Sequence, residues 1–203
     1  MSGGAATNDS AREAAAFELA PRLRRAEALL EGHFQLTSGR HSDRYVQCAL
    51  FLAQPREAEA ACIALADRLS DSRPDLVVGP ALGGVIVAHE VARRLGTPCY
   101  FAERKDGVMT LRRGFRIRPG QRVVIVEDVV TTGGSVNEVA ALITAAGAEV
   151  VAIGSLVCRA ERSPFSIRHE ALLWLPIESW EPAQCPLCRA GGQAIKPGSR
   201  PGA

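Results

Sequence analysis

The apolar run Val123-Val124-Ile125-Val126 ends in two adjacent acids, Glu127 and Asp128, and after Val129 and Val130 comes the small polar series Thr131-Thr132-Gly133-Gly134-Ser135. Such a run reads as a buried strand, and the small-residue turn after it opens a helix. Successive backbone N–H groups at a helix start, with the hydroxyls of Thr131, Thr132 and Ser135 beside them, surround a phosphate, and Gly133 and Gly134 let the backbone come close. No lysine follows the glycines, so the nucleoside-triphosphate loop G-x-x-x-x-G-K-[ST] is excluded and a monophosphate fits better. Glu127 and Asp128 would repel that phosphate at contact. They belong a little further along, where carboxylates accept hydrogen bonds from a vicinal diol or approach Mg²⁺. A ribose 5-phosphate presents both ends of this pattern. A turn that merely caps a helix would explain TGGS, but it leaves two strand-end acids without a purpose.

Other segments carry weaker signals. Gly79-Pro80-Ala81-Leu82-Gly83-Gly84 leaves a strand and opens a helix, which offers further N–H groups to an anion and is equally ordinary punctuation. Arg104-Lys105-Asp106-Gly107, ahead of Arg112-Arg113 and Gly114, reads either as a cationic loop over an anion or as a solvated β-hairpin. Arg159 follows the apolar SLVC at a strand end, where a guanidinium either faces solvent or grips a carboxylate through two parallel hydrogen bonds. Cys185-Pro186-Leu187-Cys188 is half of a zinc site, a redox pair or a plain turn. No second pair stands at ligand spacing, so a full metal site would need Cys158, a histidine or another subunit. His33, His41, His89 and His169 are taken as structural or peripheral.

The elements that must position these residues follow from periodicity. Ser10 caps a short helix over 11 to 20, and Pro21 suits the first turn of a second, PRLRRAEALLE, stopped by Gly32. Between His33 and Leu52 short apolar pieces flank the turn-rich TSGRHSD, which predicts extended chain bent through a polar loop. From Pro55 the alternation is regular: a helix with Ala58, Ala61, Cys62, Leu65 and Leu69 on one face, a strand at 76 to 79 and a helix at about 83 to 95. PCYFAE near 98 to 103, a charged stretch to Gly120, the strand RVVIVED, a helix with Val136, Val139, Ala140 and Ile143 on one face, and the strand VVAIGSLV complete it. Alternating strands and helices need crossovers, which predicts an α/β fold with a mainly parallel central sheet flanked by helices and ligands at the strands' carboxyl ends. We expect one domain: an N-terminal arm or hood at about 10–52, a core at about 55–178 and an irregular Pro/Gly/Arg-rich tail at about 181–203.

Length and composition agree with that reading. The chain has 203 residues, 47% of them hydrophobic and 23% charged, enough for one sizeable core. The 24 basic and 22 acidic residues leave a formal charge of +2, which argues against a nucleic-acid-coating or membrane-surface protein. With no signal-like start and no apolar run approaching about twenty residues, a soluble cytoplasmic protein is expected. Cys48, Cys62, Cys99 and Cys158 lie singly among apolar residues and are expected to be reduced.

The segment V-V-I-V-E-D-V-V-T-T-G-G-S resembles, throughout, the motif by which type I phosphoribosyltransferases bind PRPP (5-phosphoribosyl 1-diphosphate). Phe34-Gln35-Leu36-Thr37-Ser38-Gly39-Arg40-His41-Ser42 with Tyr45 is similar to the N-terminal F-x-L-x-S-G-x-x-S-x-x-[YF] segment of orotate phosphoribosyltransferases, which purine enzymes lack. The resemblance implies that Glu127 and Asp128 hold the ribose hydroxyls, that Thr131 to Ser135 hold the 5-phosphate, and that the loop at Gly83 serves the diphosphate. It implies substrate contacts from Ser38, Gly39 and Tyr45, and a mobile catalytic loop in which Lys105 and Arg104 lead, with Arg112 and Arg113 behind them. Arg159 matches an arginine that pairs with orotate's carboxylate. Two departures stand out: Thr37 replaces a lysine that many members direct at the diphosphate, and the catalytic loop lacks the family's histidine. The tail, C-P-L-C and then Lys196-Pro197-Gly198-Ser199, looks like the ending of some longer orotate enzymes.

The implied reaction replaces diphosphate at the anomeric carbon by N1 of orotate, giving orotidine 5′-monophosphate, a step of pyrimidine biosynthesis. It uses Mg²⁺ held mainly by PRPP, with no direct protein ligand assigned, and needs no nucleophilic Ser or Cys. A loop reaching into the neighbouring site implies a homodimer; neither nucleic acid nor membrane is a partner. The rivals are a purine phosphoribosyltransferase and a PRPP-sensing regulator of the same fold.

Overall fold

The computed structural model describes residues 17–36 and 38–197. Most of the helix expected over 11 to 20, with its Ser10 cap, lies outside these residues, as do Thr37 and the Gly198-Ser199 end of the tail motif. Helix α1 (Leu19–Arg25) carries Pro21 in its first turn and buries Leu19 and Leu23. It stops well short of Gly32, contrary to the expected helix through ALLE. Glu27 takes a positive φ of 53° and turns the chain, and Leu29 and Leu30 instead pair across a hairpin with Val46 and Tyr45. Cross-strand pairing and burial thus override helix propensity. The hairpin is β1 (Leu29–Gln35) and β2 (His41–Val46), antiparallel around the expected polar loop. Cys48–Leu52, expected as extended chain, is a short helix, α2, because Cys48, Phe51 and Leu52 share a buried face.

The core opens with α3 (Pro55–Leu69), which has Pro55 in its first turn and Ala58, Ala61, Cys62, Leu65 and Leu69 buried as the spacing predicts. Then come β3 (Leu76–Pro80), α4 (Gly83–Leu95), β4 (Cys99–Lys105), β5 (Val108–Leu111), β6 (Arg122–Val130), α5 (Gly134–Ala145), β7 (Glu149–Cys158) and β8 (His169–Trp174). The six strands form one sheet in the order β5-β4-β3-β6-β7-β8, parallel except for the antiparallel edge strand β5. Strand β8 has no separate counterpart in the sequence reading.

Alternation along β6 explains why its apolar run is unbroken. Val124 and Val126 join the core formed with α3, α4 and the hood, whereas Val123 and Ile125 join the core under α5 with Val136, Val139 and Ile143. A strand covered on both faces must be apolar on both. Trimming fully buried Ile125 to Ala would cost about 2–5 kcal/mol.

The tail is more ordered than expected. It contains a 3₁₀ turn (Pro182–Gln184) and a short helix α6 (Pro186–Arg189), and it is tied to the hood by bridges His41–Trp180 and Phe34–Ile195. Arg40 reinforces this: its Nε donates to Ser179 Oγ at 2.9 Å, and it also binds the Ser179 carbonyl and the Glu181 carboxylate. Among the described residues no helix is long and apolar enough to cross a membrane.

Candidate active site

Strand register brings the chemical loops to one edge. Pro80 of β3 pairs with Ala102 of β4, Val78 with Ile125 of β6, and Glu127 with Ser155 of β7, so four parallel strands end together. From β3 the chain crosses to β4 on one side, while β6 lies on the other, which makes the β3/β6 boundary the topological switch point where such sheets hold ligands. The loop after β3 and the acids of β6 meet there.

The approach is close. A Cβ on Gly83 would stand 2.2 Å from Asp128 Oδ2, and one on Gly84 would stand 3.0 Å from Glu127 Oε1, so only glycines let the start of α4 lie against the acids. Asp128 is half-buried and its Oδ1 accepts a hydrogen bond from the Val129 N–H at 2.9 Å, which fixes its carboxylate. Glu127 is buried and its Oε1 accepts from the Asp128 N–H at 3.1 Å. Burial, and then the neighbouring Asp128, pushes the Glu127 carboxyl up to about 9, so it stays protonated at neutral pH and is able to donate a hydrogen bond. A protonated Glu127 beside Asp128 offers a hydrogen-bond donor as well as acceptors to two neighbouring hydroxyls.

Beyond them, Thr131, Gly133, Gly134 and Ser135 line a small cavity of about 40 Å³ together with Glu127 and Val136. Thr132 is exposed on the same turn. Helix α5 begins here with no side-chain cap, which leaves its first N–H groups for a ligand. Gly133 has φ 79°, and a Cβ there would stand 2.5 Å from Phe165 Cε1, so Phe165, which the sequence reading did not single out, backs the turn.

Arg159 follows β7 directly, and its N–H is held by the Val130 carbonyl at 2.8 Å. The side chain is half-buried, and Nε is buried without a hydrogen-bond partner among the described residues. Burial lowers its pKa, and the Tyr45 phenol of β2 acts against that shift. Tyr45 therefore brings the hood's motif to the same edge as Arg159. Ser38 and Gly39 sit in the β1–β2 loop, Gly39 with φ 83°.

The cationic stretch forms the β-hairpin that was one of its two readings. Asp106 and Gly107, with φ 52° and 82°, make the two-residue turn between β4 and β5. Strand β4 runs three residues past the level of Pro80, so its tip projects about 10 Å beyond the β3–α4 loop on the site's side. Arg104 pairs with Glu138 of α5 at 2.7 Å, and Arg112 and Arg113 both pair with Glu103, at 3.4 and 3.0 Å. Lys105 is exposed and has no such partner among the described residues.

Of the histidines, His169 is half-buried, bonds Ser155 Oγ at 2.9 Å and lies between Phe165 and Trp174, and His89 is exposed beside Glu90. Both fit the structural or peripheral role expected. His33 and His41 do not stand apart: they converge on Cys185 and Cys188. All six cysteines are free thiols.

Known proteins share this sequence and fold. Residues 52–172 match the phosphoribosyl transferase domain family. The chain is 54% identical over 181 residues to the orotate phosphoribosyltransferase of Heliobacterium modesticaldum, covering 88% of this chain and 95% of that protein. It is 50% identical over 184 residues to the orotate phosphoribosyltransferase of Pelotomaculum thermopropionicum, covering 90% and 97%. The crystal structure of orotate phosphoribosyltransferase from Aeropyrum pernix superposes with a TM-score of 0.66 at 25% identity, over 78% of this chain and 94% of that one. Identity at this level over nearly the whole of such relatives, on a sheet edge built from paired acids and a hydroxyl-glycine turn, places the chain among the orotate phosphoribosyltransferases of the phosphoribosyltransferase family.

Proposed function

We propose that the sheet's carboxyl edge binds PRPP and orotate and transfers the phosphoribosyl group to N1 of orotate, releasing diphosphate and orotidine 5′-monophosphate. The observation that carries the base assignment is Arg159, half-buried with an unpartnered Nε on the same edge as Glu127, Asp128 and the Thr131–Ser135 turn. A guanidinium removed from water and left without an anion suits a ligand that brings a carboxylate. Orotate has one; hypoxanthine, guanine and uracil do not.

In this reading the N–H groups and hydroxyls of Thr131 to Ser135 hold the 5-phosphate, and Glu127 and Asp128 fix the ribose hydroxyls. Gly83 marks where the diphosphate lies against the start of α4. As the C–O bond breaks, the sugar becomes cation-like beside Asp128, and the leaving oxygens gain negative charge under Lys105 and Arg104, with Arg112 and Arg113 further back. Fixed charges of this kind lower the barrier without covalent or acid–base help. Closure of the β4–β5 hairpin would exclude water that otherwise hydrolyses PRPP.

The donors around the acids are carboxylate and hydroxyl oxygens, which fits Mg²⁺ shared with the oxygens of PRPP. Bound there, Mg²⁺ would supply positive charge to offset the negative charge of the departing diphosphate. The family resemblance supports a homodimer in the cytoplasm in which each chain works as one domain from hood to tail. Light scattering tests the dimer. The reaction is tested by following orotate loss with PRPP and Mg²⁺ beside hypoxanthine, guanine and uracil. Consumption of a purine with orotate untouched would refute the base assignment and leave the sugar-phosphate site standing.

A further inference from the structure

The tail's Cys185-Pro186-Leu187-Cys188 lies against the hood with its two sulfurs facing two imidazoles. Cys185 Sγ is 3.4 Å from His33 Nε2, while Cys188 Sγ is 3.6 Å from His33 Nε2 and 3.3 Å from His41 Nδ1. The two ring nitrogens are 2.9 Å apart, and all four atoms lie within 4.8 Å of one another. A tetrahedral zinc ion with bonds of about 2.3 Å to sulfur and about 2.0–2.1 Å to nitrogen sets N-to-S edges near 3.5 Å and an N-to-N edge near 3.3 Å. Those four separations fall within about 0.4 Å of these edges, and the remaining ones, none wider than 4.8 Å, need the ligands to draw in around the ion.

Secondary structure supplies this arrangement. Gln35 is paired with His41 in the hairpin, and the irregularity in register between Glu31 and Phe34 takes in His33, whose Nε2 lies 2.9 Å from His41 Nδ1. Cys185 precedes α6 and Cys188 lies in its first turn, the two-residue spacing that lets a pair of thiolates grip one ion. Backbone bonds hold the two halves in place. The Ile195 N–H donates to the His33 carbonyl at 2.8 Å, and the His41 N–H to the Trp180 carbonyl at 2.8 Å. Cys185 and His41 are buried, so a group that takes up four converging lone pairs there has strong stabilising value.

We propose that His33, His41, Cys185 and Cys188 form a closed zinc site that fastens the tail to the hood hairpin. Two thiolates and two neutral imidazoles in tetrahedral array favour Zn²⁺ over hard oxygen-seeking cations. Loading takes one Zn²⁺ from solution and releases the two thiol protons. With four protein ligands and no open position the ion is structural, and it braces the strands that carry Ser38, Gly39 and Tyr45 into the active site.

The test uses the full chain, free of any affinity tag, purified without added metal. Elemental analysis is expected to find about one zinc per chain, and chelation should lower Tm by about 10 °C or more, restored by Zn²⁺ alone. Reloading the stripped protein with Co²⁺ should give the intense visible bands of a tetrahedral site and thiolate-to-cobalt charge transfer. Cys188→Ser should lose that charge-transfer intensity, whereas Cys99→Ser should keep it. The proposal is overturned if wild-type protein holds less than about a tenth of an equivalent of zinc after incubation with Zn²⁺, or binds Co²⁺ without thiolate charge transfer. Isolation with a Cys185–Cys188 disulfide would overturn it too. Because the wild-type measurements decide, a variant that fails to fold does not blunt the test.

Discussion

Gly83 presses its backbone against the Asp128 carboxylate so closely that a single methyl there would stand 2.2 Å from Oδ2. Two loops more than forty residues apart in the chain are thereby locked at the switch point between β3 and β6. Asp128 is short and anchored to the Val129 N–H, so it has little room to yield. Gly83→Ala should raise KM for PRPP about tenfold or more by misplacing the acid. Initial rates at varied PRPP check this, and a thermal melt separates misplacement from unfolding.

Glu127 makes stability depend on pH. Its carboxyl has an ordinary value of 4.5 and is raised to about 9 in the fold, chiefly by burial. Between those limits the folded chain keeps a proton that the unfolded chain has released, so stability should fall as pH rises. Glu127→Gln removes the effect: without ligands its Tm should exceed the wild type's at about pH 8 and match it at about pH 5. A variant that is less stable at the higher pH would contradict the assignment. Its turnover should still fall, because an amide nitrogen only donates where the carboxyl's protonated oxygen can both donate and accept toward a ribose hydroxyl.

Arg159 should govern the base and leave PRPP alone. Arg159→Met should lower kcat/KM for orotate by about 30- to 1000-fold, since one half of a desolvated ion pair is lost. KM for PRPP should move less than about threefold. Steady-state kinetics with each substrate varied in turn measure both.

The hairpin cations should rank by what already neutralises them. Arg112 and Arg113 are occupied by Glu103, whose carboxyl Arg113 holds below its usual range, while Lys105 is unpaired among the described residues. Lys105→Ala should therefore cut kcat about 100- to 1000-fold, and Arg113→Ala less than about tenfold. Single-turnover rates distinguish them, and equal losses would show that the ion pairs open during catalysis.

Local order carried the central part of this site into the sequence. The strand, its two acids, the hydroxyl-glycine turn and the helix face of Val136, Val139 and Ile143 are contiguous, so their periodicity and turn chemistry were legible without a fold. The same holds for α3, α4 and the start of β4. Reading failed where distant partners decide: ALLE pairs with β2 instead of extending α1, Cys48–Leu52 coils because one face is buried, and the tail gains order only by resting on the hood.

The sequence by itself thus determined the strand-turn-helix unit that we propose recognises a phosphorylated sugar, since such a unit places its own side chains within a dozen residues. Tertiary structure decided strand order, the contact of Gly83 with Asp128, the approach of Tyr45 to Arg159, and the meeting of His33 and His41 with cysteines some 150 positions away. Those contacts join segments through the sheet and the hairpin, and no local pattern records which distant side chain will fill the space across from it.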